Sequence, residues 1–162
     1  MLTKENVKQL VRGFLHESCG YLGIDDSQIG ICYVPMPVSM MMVMLLKDSD
    51  DIVIDNKLLA DVVEQNSYTK LRFEIYRVAR EIYQRRKHQA EGTQEDIKAD
   101  ANDAYAFAYA LIFLNGLSMI IPHQIVDECH SRILHILNNE FHENCVLHSV
   151  PDPQFKGEFC YR

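Results

Sequence analysis

Residues Leu71 to Gln84 read LRFEIYRVAREIYQ, and the reading of this run decides the fold. Leu71, Ile75, Val78, Ala79 and Ile82 return every three or four positions, so they share one face of an α-helix and that face is expected to be buried. Ser67 or Thr69 stands where an N-cap belongs. At the other end, Arg85, Arg86 and Lys87 suit a helix C-terminus, where the backbone dipole favours cations. Upstream, Asp51 to Asp55 (DIVID) reads as a short strand that turns helical at Asn56, with Leu58, Leu59, Val62 and Val63 at helical spacing. Downstream, Ile97 to Asn115 is an alanine-rich apolar helix, with Thr93 or Asp96 to cap it and Asn115–Gly116 to end it.

Further out, Thr3 to about Cys19 forms an amphipathic helix carrying Val7, Leu10, Val11, Phe14 and Leu15, with Thr3 as its cap and Gly20 as its stop. Gln28 to Val34 and Val38 to Lys47 read as strands separated by Pro35–Met36–Pro37. The second of these, VSMMMVMLLK, is apolar on both faces and is expected to be a central strand covered on each side, its methionines filling core. The polar turn Lys47 to Asp50 joins it to Asp51–Asp55 as a hairpin. Pro122 fits the first turn of a last helix through Ile133, Ile136 and Leu137. From Asn138 the tail, with Pro151, Pro153 and Gly157, is expected to be irregular. The fold class is α+β: a small antiparallel sheet of about three strands packed with helices, in one domain spanning 1–162.

A strand is followed by a helix opening with Arg72–Phe73, and then by a helix carrying Asp103–Ala104–Tyr105–Ala106–Phe107–Ala108. This order resembles the compact gluzincin-type zinc metallopeptidases, of the phage-repressor-cleaving and stress-regulator kind, from about Ile52 to Leu117. The resemblance implies a zincin-like core at about 3–117, with a C-terminal helix and irregular tail at 118–162. In that family an HExxH motif supplies two histidine ligands and a general base, and a carboxylate on the next helix completes the zinc site. Counting from Arg72–Phe73 puts Arg77 at the first histidine, Val78 at the base and Glu81 at the second histidine, so the motif reads RVARE. Asp103, or Asp100 one turn earlier, falls at the third ligand.

Those replacements remove the chemistry. A guanidinium is always protonated and has no lone pair for a metal, and valine accepts no proton. The implied function is that of a catalytically inactive relative that binds a peptide or protein, with Arg77 in the vacated metal position, bridging Glu81 and Asp103 or Asp100. Neither metal nor cofactor is expected. By the same resemblance, Ile52, Val53 and Ile54 form the peptide-binding edge strand. The enzyme alternative is a hydrolase with a non-standard site: Glu81 and Asp103 with a hard, non-zinc cation, or a metal held by C-terminal His and Cys residues.

Composition bounds the rest. The chain has 162 residues and a net charge of −7, which argues against nucleic acid as the partner. Of the basic residues between Lys70 and Lys87, Arg85–Arg86–Lys87 read as the solvated C-terminal end of the helix. Five cysteines, an odd number with no CxxC pair, point to reduced thiols and a cytoplasmic protein without a signal segment. The longest apolar run, Val38–Leu46, is about half of a membrane span. Five histidines (His123, His130, His135, His142 and His148) cluster after Ile121, but only His142 and Cys145 show ligand-like spacing. Self-association through Ile97–Leu117 is a further possibility for a partner.

Overall fold

Thr3 opens the first helix through a reciprocal cap: its hydroxyl accepts from the Asn6 N–H at 3.1 Å, and the Asn6 side chain accepts from the Thr3 N–H at 3.2 Å. The computed structural model describes residues 1–37, 42–121, 123–148 and 160–161. They form two units, Met1–Glu95 and Asp96–Arg162.

The first unit holds α1 (Lys4–Leu22), β1 (Ile31–Val34), β2 (Val43–Leu45), β3 (Ile52–Asp55), α2 (Asn56–Gln65) and α3 (Thr69–Glu91). Helix α1 passes through Gly20 and ends at Gly23, which takes the left-handed conformation (φ 67°) and donates its N–H to the Cys19 and Gly20 carbonyls. The helix stop therefore lies three residues later than expected, at the glycine whose backbone needs a positive φ. Asp55 caps α2 by accepting from the Lys57 N–H at 3.0 Å. No side chain caps α3, whose N-cap is Tyr68.

The sheet has the order β1-β3-β2 and is mixed, not antiparallel. Strands β2 and β3 make the expected antiparallel hairpin, with Met44 opposite Val53. Strand β1 lies on the other side of β3 and parallel to it, with Ile31 opposite Ile52 and Tyr33 opposite Ile54. Strands β1 and β3 are parallel neighbours with β2 between them in sequence, an arrangement that no tight turn can make. Two expectations change as a result. Strand β3 is central, so Ile52, Val53 and Ile54 pair on both sides and offer no edge for an added strand. The methionine-rich strand lies at a border of the sheet, its strand portion being Val43–Leu45; Val38–Met41 fall outside the described residues.

Ile52 and Ile54 are fully buried. Helix α3 is buried nearly all round from Leu71 to Arg80, a broader surface than the single predicted face. Its buried residues include the charged Arg77 and Arg80.

The second unit holds α4 (Ile97–Leu114), α5 (His123–His135), a π-helical turn (Ile136–Glu140), β4 (Leu147–His148) and β5 (Cys160–Tyr161). Asp96 caps α4 by accepting from the Ala99 N–H at 3.1 Å, and Gly116 (φ 74°) follows its end. Ala104 and Ala106–Ile112 are buried, and α4 packs against α5. Within the π turn, the Asn138 amide holds the Cys145 backbone, accepting from its N–H at 2.8 Å and donating to its carbonyl at 3.1 Å. The tail, expected to be irregular, contributes a two-residue antiparallel ladder between β4 and β5. Pro122 and the segment with Pro151, Pro153 and Gly157 lie outside the described residues.

Candidate functional site

Glu74, Arg77 and Glu81 are spaced three and four apart on α3, so they stack along one helical face. The Arg77 guanidinium is buried, with the residue 2% exposed. Its Nε donates to Glu74 Oε2 at 2.9 Å, its Nη1 to Glu81 Oε1 at 2.9 Å, and its Nη2 to the Val43 carbonyl at 2.9 Å. The sheet register explains why Val43 is the acceptor. The Asp55 N–H bonds the Met42 carbonyl and the Leu46 N–H bonds the Asp51 carbonyl, so even-numbered residues of β2 face β3. The peptide groups of Val43 therefore face outward, toward α3, and Arg77 caps that border of the sheet.

Electrostatics follow from this packing. Burial pushes the Glu81 carboxyl above the usual carboxylate range, while the Arg77 guanidinium pulls it back down. One fixed cation thus sits between two carboxylates and a carbonyl, as a charge-assisted network. A metal does not fit this donor set. Arg77 offers no lone pair and already bonds the oxygens that a cation would need, and Val78 is a fully buried apolar side chain with no basic atom.

The structure brings Arg77 and Glu81 together, as the four-residue spacing predicts. Asp100 and Asp103 belong to the second unit, on α4. There Asp103 Oδ1 accepts from Arg132 Nε of α5 at 2.6 Å. Among the described residues, no group of three His, Cys, Asp or Glu side chains is placed to hold a metal ion.

Sequence reasoning missed three other arrangements. Arg72 Nε donates to the Tyr76 hydroxyl, which donates to Glu17 Oε2 at 2.7 Å, and the Arg72 guanidinium lies 3.3 Å from Glu17 and 4.9 Å from the Phe14 ring centre. The Arg-Phe opening of α3 thus has a local task, pinning α3 to α1. The Arg72–Tyr76 spacing was legible, but Glu17 is brought in only by the fold. Likewise, Arg85 donates to the Ser49 carbonyl at 2.7 Å and the Leu46 carbonyl at 2.9 Å, while Arg86 bonds Asp50 Oδ2 at 3.0 Å. This pair clamps the β2–β3 turn, so it does more than solvate a helix end. Finally, the basic residues Lys8 and Arg12 of α1 lie beside the β1 segment: the Lys8 ammonium is 5.1 Å from the Tyr33 ring centre, and Arg12 Nη1 bonds the Ile29 carbonyl at 2.9 Å.

The buried thiols are not poised as nucleophiles. Burial pushes Cys19 up to about 12 and Cys129 up to about 11, so both stay protonated near neutrality. Among the described residues, no helix is long and apolar enough to cross a membrane. Compared with protein-family models, with curated proteins and with solved structures, the chain matches none.

Proposed function

We propose that this chain is a non-catalytic relative of the compact gluzincins that binds an extended peptide or protein segment and leaves it intact. One observation carries the reading: the buried Arg77 guanidinium is hydrogen-bonded to Glu74, Glu81 and the Val43 carbonyl, and the resemblance assigns residue 77 to the first zinc-binding histidine. Val78 at the general-base position supports it, since a zinc-bound water has no proton acceptor there.

Capture of an extended segment suits a small sheet with open borders, where main-chain bonds give affinity and side chains give selectivity. The central strand β3 does not serve this purpose, and at Val43 the β2 border is taken by Arg77. The test is selection of a random-peptide display library on the purified chain, with the retained peptides read by sequencing and mass spectrometry. Enrichment of related sequences, recovered uncut in zinc-containing buffer, is the expected result. No enrichment, or zinc-dependent cleavage of the peptides, contradicts the proposal.

A further inference from the structure

We infer that the outer edge of β1 is the docking strand, and that its occupant is an acidic, extended segment of a partner protein. The inference rests on the binding function proposed above and names its surface and ligand chemistry.

The register supplies the first part. The Ile52 N–H bonds the Gly30 carbonyl at 2.8 Å, and in a parallel pair the next bonds fall to Cys32 and Val34. Gly30, Cys32 and Val34 therefore turn their peptide groups toward β3. Ile31 and Tyr33 turn theirs the other way, away from the sheet, and no backbone group among the described residues pairs with them. Such a row of N–H and C=O groups at a sheet edge is a template on which another strand can pair. Pro35, which has no N–H, ends the strand, so the edge is short and backbone bonds alone make a weak site.

Charge supplies the second part. Lys4, Lys8 and Arg12 recur every four residues along α1 and form one basic ridge. Two contacts place that ridge along β1: Lys8 over the Tyr33 ring and Arg12 on the Ile29 carbonyl. The acid paired with it is Glu5, exposed and 3.7 Å from Lys8. In a chain of net charge −7, a basic ridge flanking an open strand edge runs against the overall balance. Helical residues four apart rise about 6 Å, and strand residues two apart rise about 6.6 Å. Acids at alternate positions of an added strand therefore fall in step with successive cations of the ridge. This edge lies on the opposite side of β3 from the Arg77 cap on β2.

The probe is a fluorescein-labelled octapeptide with glutamate at alternate positions and threonine or valine between, followed by anisotropy. Its counterpart carries lysine in place of glutamate. The acidic peptide is expected to bind at least tenfold tighter than the lysine peptide, with affinity falling as salt rises. N-methylation of alternate peptide amides is expected to abolish binding in one register and spare it in the other, since only one set faces β1. Because Lys8 and Arg12 are surface residues, the double variant Lys8→Glu/Arg12→Glu is expected to stay folded and to reverse the preference. Equal binding of the two peptides, indifference to N-methylation, or an unchanged preference in the double variant overturns the inference. If library selection enriches peptides that the double variant still binds, the binding function stands and the β1 assignment falls; if no peptide is retained, both fall.

Discussion

Replacing Arg77 with alanine leaves the partly buried carboxylates of Glu74 and Glu81 facing each other and removes a donor from the Val43 carbonyl. Breaking a buried charge network from one side costs about 3–5 kcal/mol, so Arg77→Ala is expected to lose stability on that scale in chemical denaturation. Arg77→Lys keeps the charge but not the planar fork, and is expected to fall between the two. Glu81 supplies a pH test. Its carboxyl is raised by burial, against the pull of Arg77, so the folded state holds the proton more tightly than the unfolded one. The stability linked to this group is therefore complete below the ordinary glutamate value and is lost as pH rises through the raised one. Glu81→Gln removes that dependence. Measured against wild type, its relative stability is expected to rise as pH increases above the ordinary glutamate value; a relative fall as pH rises contradicts the assignment. At Gly30, an added Cβ would stand 2.4 Å from Asp51 Oδ1, and Ser49 holds the other oxygen of that carboxylate at 3.0 Å. Gly30→Ala is expected to destabilise by about 1–3 kcal/mol through this forced shift, read as a lower thermal midpoint.

The helices were the most legible elements, because their apolar residues repeat at helical spacing and Thr3 and Asp96 are capping residues in the right places. The β2–β3 hairpin was legible from its polar turn. The partner of β1 was not. Parallel pairing leaves no turn signature, and a strand of four residues carries little periodicity. The resemblance made β3 an edge, and no local signal in the sequence showed that β1 pairs with it. The clamp on the β2–β3 turn was equally hidden, since Arg85 and Arg86 act on residues 36 positions away. Replacing both with alanine is expected to speed amide exchange at Leu46 and Ile52, the residues flanking the turn, before it affects α1. Uniform exchange across the unit would show that the clamp is not local.

At the scale of the whole chain, the resemblance to a metallopeptidase lay in a frame: Arg72–Phe73 and the alanines of α4. In the structure Arg72 has its own structural work with Tyr76 and Glu17, so half of that frame needs no catalytic ancestry to explain it. The positions that the resemblance assigns to the zinc ligands are the more informative ones. The Arg77–Glu81 contact follows from spacing on one helix and was legible. The Val43 carbonyl was not, because which backbone oxygen a guanidinium reaches depends on sheet register. Arg77 is therefore both the reason that zinc chemistry is not expected and the cap on one border of the sheet. The most direct check is a calorimetric titration of zinc into the purified wild-type chain, repeated on Glu81→Gln. The account predicts no saturable site in either protein. A one-equivalent zinc site in wild type that disappears in Glu81→Gln would contradict it.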